Sequence, residues 1–466
     1  MRKDFLLLMG LCLLVFTSSC KKDSFITSQE ARLSTSVDSL KYDTVFTTAG
    51  SITKSFKITN GNNQKLLLNK VKLMGGLASS YKMNVDGSAT AEASNIEIAA
   101  NDSIYVFVTV SINPNSGNLP FVVSDSILIS YNGNERYVQL QAYGQNANFL
   151  RNRIITGNIT WTNTLPYVIL GSIRIDTTAT LTILSGTKIY LHANAPFIVD
   201  GTLIINGTKA AAVSFAGDRL DADYKDLPAG WPGIYFRGSS KNNVLKFALV
   251  KNAYQAVVVE QPSVNTNPKL ILHQCIIDNS YDAGLLCVNS SVQADNCLIS
   301  NCGSNVAIAY GGDYTLTNCS VASFSNYYIS HKNPVLQLNN FALQNGAVAT
   351  ANLNAIFRNC IFWGDNGLVN NEISVTKQGT NSFVASFTNC LYKAAADPAN
   401  ATITNSIKNQ YPQFDSIDVS RNLYDFHISN PTAPGINKGV TTSFTKDLDD
   451  KNRNVGLPDL GCYEKQ

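Results

Sequence analysis

Gln274-Cys275-Ile276-Ile277, Asn296-Cys297-Leu298-Ile299, Asn318-Cys319-Ser320-Val321, Asn359-Cys360-Ile361-Phe362 and Asn389-Cys390-Leu391-Tyr392 repeat one four-residue frame. The first three cysteines are spaced by 22 residues, the fourth follows after 41, near two such periods, and the fifth after 30. A regular period of this length signals a solenoid. The residues after each Cys are largely strand formers, so a rung of two or three short strands in a parallel coil is expected. Stacked rungs lie about 4.8 Å apart, which puts equivalent side chains in ladders. Cys then points inward as a small apolar group. The Asn before it accepts the left-handed backbone of a sharp bend and can stack its amide on its equivalents. Like charges in such a column would repel.

The composition agrees. Only 15% of the 466 residues are charged and 44% are hydrophobic, against about 25% charged in an ordinary soluble domain. Asn, Thr and Ser replace the missing charge. A coiled coil would need Ala, Glu, Lys, Leu and Arg in bulk. A disordered chain would need high charge and few apolar residues. The net charge of +3 is spread without a basic block, so nucleic acid is not an expected partner.

Working outward, Thr180-Leu181-Thr182-Ile183 recurs as Thr202-Leu203-Ile204-Ile205 after the same 22 residues. The series Gly186-Thr187-Lys188-Ile189, Phe197-Ile198-Val199-Asp200-Gly201, Asn206-Gly207-Thr208 and Trp231-Pro232-Gly233-Ile234-Tyr235-Phe236 resembles bacterial right-handed parallel β-helix proteins. The end of the chain carries Tyr411-Pro412-Gln413-Phe414, Ala433-Pro434-Gly435-Ile436-Asn437, Asp447-Leu448-Asp449-Asp450 and Pro458-Asp459-Leu460-Gly461-Cys462. It resembles the terminal segment of the choice-of-anchor Q β-helix family, with Cys462 where Ala is commoner. A right-handed parallel β-helix over 150–410 and a C-terminal cap over 411–466, closing the exposed last rung, are therefore expected.

Residues 33–146 show period-two alternation, as in Ser51-Ile52-Thr53-Lys54-Ser55-Phe56-Lys57-Ile58 and Ser103-Ile104-Tyr105-Val106-Phe107-Val108-Thr109-Val110. Such alternation marks half-buried strands. Asn60-Gly61 and Asn132-Gly133 are tight-turn dipeptides. The order of pieces resembles Hydin-type immunoglobulin-like domains, implying a β-sandwich that serves as a spacer or binding module. The fold class expected is all-β: an immunoglobulin-like β-sandwich followed by the β-helix.

Met1-Arg2-Lys3, an apolar run over 5–16 and Thr17-Ser18-Ser19-Cys20 have the layout of a secretory signal peptide (1–19). The apolar run falls short of the roughly 20 residues that span a bilayer. Cys20 after small residues resembles the lipobox of bacterial lipoproteins, although Thr17 stands where Leu is usual. The resemblance implies acylation of Cys20, a lipid-anchored tether over 20–32, and a place in the cell envelope, at the outer membrane.

Candidate chemistry is sparse. Asp218, Asp221, Asp223 and Asp226 lie in a loop between rungs and could bind Ca²⁺ through oxygen ligands or supply paired acids for glycoside cleavage. Arg219 and Lys225 among them suit an ion-paired surface loop instead. Asp447, Asp449, Asp450 and Asn452 form a second acidic cluster, with Arg453 and Asp459 placed for a salt bridge. Asp278, Asp295 and Asp313 are nearly periodic, and Tyr310, Tyr314, Tyr327 and Tyr328 are candidates for stacking on sugars. With four histidines and no paired CxxC, zinc is not expected. Cys297 with Cys302, or Cys287 with a neighbour, could form a disulfide, but inward ladder cysteines are usually free. The function expected is non-catalytic: a cell-envelope lipoprotein presenting an elongated surface to a polysaccharide or cell-surface glycan. The alternative is a polysaccharide lyase or glycoside hydrolase.

Overall fold

A computed structural model of the chain describes residues 24–47, 50–113, 121–365, 367–453 and 455–465. The signal-peptide layout and Cys20 lie outside these residues. Among the described residues the chain is all-β, with two three-residue 3₁₀ turns and no α-helix. It divides into Met1–Asn146 and Ala147–Gln466.

The first unit has two five-stranded sheets. Lys54–Asn60, Ser103–Val110 and Tyr81–Val85 pair antiparallel in one. Asn134–Gln145, Phe121–Tyr131 and Leu66–Leu73 do so in the other, and Ser39–Phe46 joins its edge in parallel. Alternate residues of both sheets meet in one core, including Phe56, Ile58, Val106, Leu68, Ile129 and Leu140. Two buried tyrosines tie the sheets reciprocally. Tyr42 donates to the Val108 carbonyl at 2.6 Å and Tyr81 to the Val123 carbonyl at 2.8 Å. Burial holds both phenols protonated. Asn132 and Gly133 make the expected left-handed turn, at φ 49° and 81°. Asn60-Gly61 does not form the expected tight turn. Asn60 is buried, and its amide instead donates to the carbonyls of Gln64, Ile98 and Ala99. Part of the expected tether is docked here too: the Ile26 amide donates to Lys65, and Asn132 donates to the carbonyls of Ile26 and Ser28.

The second unit is dominated by one 26-stranded sheet, counted among the described residues, in which strands pair in parallel with those one turn on. The strands fall in three columns. One runs through Thr180–Leu184, Thr202–Asn206, Asn243–Lys246 and Leu270–His273 to Phe383–Thr388. A second runs through Ala248–Lys251, Ile276–Asp278, Leu298–Ser300, Ser320–Ser323, Ile361–Gly364 and Leu391–Tyr392. The third includes Phe197–Val199, Ile234–Phe236 and Gln255–Glu260. Their inward residues fill one continuous core.

The repeated Asn-Cys frame, Gln-Cys at its first occurrence, is the bend between the first two columns. Gln274, Asn296, Asn318, Asn359 and Asn389 all have φ between 51° and 54°. The backbone turns there, and the next residue enters the core. Cys275, Cys297, Cys319, Cys360 and Cys390 form that inward column, and Ala248 holds the same place one turn earlier. All eight described cysteines are buried and free, so the alternatives pairing Cys297 with Cys302 or Cys287 with a neighbour do not form.

The bend amides do not simply stack on each other. Only Asn359 donates to its equivalent, Asn318, at 2.9 Å. Asn359 also bonds to the C-terminal segment, donating to the Val440 carbonyl, and three of the others meet that segment too. Gln274 donates to the Asp447 carbonyl, Asn296 accepts from Arg453, and Asn389 donates to the Lys438 carbonyl. This segment, expected to close the end of the coil, lies along its side. It runs from the turn of Asn389 back to that of Lys209, which pairs with Asp449. Phe414, Phe426, Ile428, Leu448 and Leu460 pack on the outward residues Leu298, Ile361, Trp363 and Leu391.

Burial of the thiols predicts their reactivity. Only the thiolate is an efficient nucleophile, and burial pushes the Cys302 and Cys462 thiols up to about 12. In a variant with Cys12 and Cys20 replaced by Ser, a thiol reagent is expected to find no reactive cysteine in the native protein and eight in denaturant. Stoichiometric reaction before unfolding would contradict the ladder.

Candidate functional site

A second left-handed bend follows the first by five residues on successive turns. Asn252, Asn279 and Asn301 occupy it, with φ of 60°, 55° and 51°. Their amides are linked: Asn279 donates to Asn252 at 2.8 Å, and Asn326 to Asn279 at 3.4 Å. Immediately before these bends, in register, stand Lys251, Asp278 and Ser300. Lys251 Nζ lies 3.1 Å from Asp278 Oδ2, while the Ser300 hydroxyl and the Asn301 amide donate to Asp278 Oδ1. Leu249, Ile276 and Leu298 form the floor beside them.

The C-terminal segment supplies the opposite wall. Strands Ser416–Asp418 and Leu423–Asp425 make a short antiparallel hairpin. Tyr424 and Phe426 stack with centroids 6.3 Å apart, and Tyr463 lies alongside in the wall. The third side is the end of the acidic loop, whose Lys225 and Asp226 carbonyls accept from Asn252 and Asn279. The cleft between these walls holds about 630 Å³.

The wall is fixed by a charged hub. His427 Nδ1 lies 2.5 Å from Asp425 and its Nε2 lies 2.9 Å from Asp449, with its ring stacked on Tyr463. Lys209 and Lys451 also pair with Asp449. Burial pulls the imidazole down, but the two carboxylates outweigh it and hold its pKa above the usual histidine value. Burial likewise opposes ionisation of Asp449, yet Lys209 and His427 bring it to about 2. Deeper in, Arg453 is fully buried, donating to Asn296 and to the carbonyls of Asp459 and Gly461, with Glu464 at 3.4 Å. The expected Arg453–Asp459 salt bridge is thus replaced by Arg453–Glu464. The Asp459 carboxylate accepts instead from the amides of Asn437 and Lys465.

The residues singled out in the sequence are scattered. Asp218 pairs with His192 at 2.7 Å, and Asp221 with Arg219, which lies over the Tyr224 ring. Asp223 is exposed, and Asp226 reaches the cleft. These four acids do not converge, and among the described residues no three His, Cys, Asp or Glu side chains are grouped to hold a metal ion. The calcium-like spacing at Asp447 is a turn: its carboxylate accepts from the amides of Asp449, Lys451 and Glu464. Asp450 has φ 64°, and Asn452 forms an isolated bridge with Lys446. Asp278 lies in the cleft, Asp295 pairs with His273 in another column, and Asp313 accepts from Asn354. Of the tyrosines, Tyr314 is buried at 1% exposure, bonded to Gly311 and Ser290. Tyr310 is half-buried at a left-handed position, and Tyr327 and Tyr328 are an exposed edge-to-face pair. Lys251, the second Asn column, Arg421 and Tyr424 were not singled out. The Asn column carried a signal, since it stands five residues after the Cys-frame bends.

No family model and no curated protein matches the chain. Among solved structures, a family 123 glycoside hydrolase from Clostridium perfringens is 8% identical, with 24% of this chain and 25% of that chain covered and a TM-score of 0.18. The ASH/PapD-like domain 7 of human CEP192 is 10% identical, with 28% of this chain and 94% of that domain covered, also at 0.18. The chain spans a quarter of the hydrolase. At these scores neither likeness bears on function.

The hub makes the wall pH-dependent. A raised His427 pKa contributes stability that is complete below the unfolded histidine value and lost as pH rises through the folded one. The lowered Asp425 and Asp449 contribute stability present above the usual aspartate range and lost as pH falls towards about 2. Burial also pushes Glu464 up to about 7, adding a loss as pH rises from the usual glutamate range to that value. Hydrogen-exchange protection of residues 416–428 is therefore expected to peak in mild acid and fall through neutrality. His427→Gln should flatten the fall; an unchanged profile would show that the hub does not hold the wall.

Proposed function

We propose that the protein is a bacterial cell-envelope lipoprotein, acylated at Cys20, that binds glycan without cleaving it. On this proposal the second unit is a right-handed parallel β-helix, the hand that parallel crossover connections adopt. The first is an immunoglobulin-like spacer between the lipid and the binding surface. The cleft beside the coil carries the proposal: amides, a hydroxyl and aromatic rings line it over an apolar floor, and the Asp278 carboxylate in it is held by Lys251, Ser300 and Asn301. Such a carboxylate positions a ligand, whereas glycoside cleavage needs two carboxyl groups free to act as acid and base. Several acyl chains at Cys20 would make a lasting anchor where a single chain would not.

Two measurements test this. Mass spectrometry of protein recovered from its native membrane is expected to show an acylated N-terminal Cys20; an unmodified residue would remove the anchor. Incubation with polysaccharides is expected to give retention on immobilised glycan and no new reducing ends or unsaturated products. Product release would transfer the protein to the carbohydrate-active enzymes.

A further inference from the structure

The cleft presents a donor and an acceptor side by side. Lys251 Nζ and Asp278 Oδ2 are 3.1 Å apart, and their side chains are 42% and 18% exposed. A carboxylate has about four lone-pair sites and an ammonium three donors. Ser300 and Asn301 use two of the sites, both on Oδ1, and the ion pair uses a third. One acceptor site on Oδ2 and two donors on Nζ remain. Two adjacent hydroxyl groups match such a pair: one donates to the carboxylate while its neighbour accepts from the ammonium. A single hydroxyl, a carboxylate or a phosphate cannot satisfy both halves as well.

Charge narrows the class further. Asp226 and Asp278 both line the cleft, and the guanidinium of Arg421, the other cation in its walls, is engaged by Asp418 at 2.6 Å. An acidic sugar would meet the Asp278 carboxylate and cations that are each already paired with an acid. The facing wall offers Tyr424, Phe426 and Tyr463, rings suited to the C–H face of a sugar. Tyr424 adds a polar observation. Its hydroxyl is shielded from water and has no partner, a state that costs free energy until a ligand supplies one. Burial pushes this phenol up to about 12, so it keeps its proton and is a donor.

We propose that Lys251 and Asp278 recognise a vicinal diol of a neutral saccharide, with Tyr424 on the facing wall donating to a further oxygen of the same sugar. This rests on the glycan-binding function proposed above and names its ligand class and its contacts. Ser300 and Asn301 are positioning residues for the Asp278 carboxylate.

The test uses the full chain and isothermal titration with neutral gluco- and manno-oligosaccharides, matched uronic-acid oligosaccharides, and neutral sugars lacking one hydroxyl of each vicinal pair. Neutral sugars are expected to bind, and the deoxy and uronic sugars to bind at least ~10-fold more weakly, the scale of one lost hydrogen bond. Asp278→Asn and Lys251→Met should each reduce affinity by that factor or more. Tyr424→Phe should reduce it several-fold without lowering Tm, because the ring stays packed and the unpartnered hydroxyl is removed. Preference for uronic acids, indifference to the missing hydroxyl, or wild-type affinity in Asp278→Asn and Lys251→Met would overturn the inference and leave glycan binding standing. Binding of no glycan of any class would overturn the proposed function itself.

Discussion

Parallel strands about 4.8 Å apart leave no side chain independent: each shares its column with equivalents on the turns above and below. That spacing decides what the sequence tolerates. Like charges would repel, and where charge appears in this coil it alternates or is diluted. Lys251 stands beside Asp278 and then Ser300 in one column. Lys246, His273, Asp295, Thr317 and Arg358 follow one another in a second. Each described histidine is paired with an acid: His192 with Asp218, His273 with Asp295, His331 with Glu372, and His427 with Asp425 and Asp449. Left-handed bends recur at fixed places, so Asn, which accepts that backbone, becomes abundant. The thiols fit the inward corner because a larger residue would have to be accommodated on every turn.

The C-terminal segment turns this regular object into one with a site. It covers the outward face of the second column with an apolar layer of its own, and uses the first Asn column as a row of docking points. Arg453 takes this furthest, reaching into the coil to Asn296 with no solvent exposure. Removing one partner from such a buried charged group is costly because the other is left uncompensated, so Arg453 and Glu464 lock the segment in one register. The cleft opens beside this layer, between the hairpin wall, the second Asn column and the end of the acidic loop. Its character follows from the two surfaces that meet there, amide-rich from the coil and aromatic from the segment.

Much of the coil was legible in residues such as Cys297 and Asn296, because a repeating environment prints a repeating residue. The second Asn column was equally legible, five residues on, and was passed over because Asn252, Asn279 and Asn301 carry no Cys to mark them. The acidic loop misled in the opposite way. Asp218, Asp221, Asp223 and Asp226 look dense along the chain, but each side chain goes its own way, and only Asp226 reaches the cleft. Tyr314, a candidate for stacking on sugars, is buried, its hydroxyl donating to Gly311 and accepting from Ser290.

By itself the sequence determined the all-β class, the period of the coil, the inward thiols and the left-handed bends. These are local or nearest-neighbour properties, set by backbone preference and by what stands one rung away. Only the tertiary structure decided that the C-terminal segment lies along the coil and that Tyr424 faces Lys251 and Asp278. These pairings join residues far apart along the chain through non-repeating contacts, and a contact made once leaves no period to read.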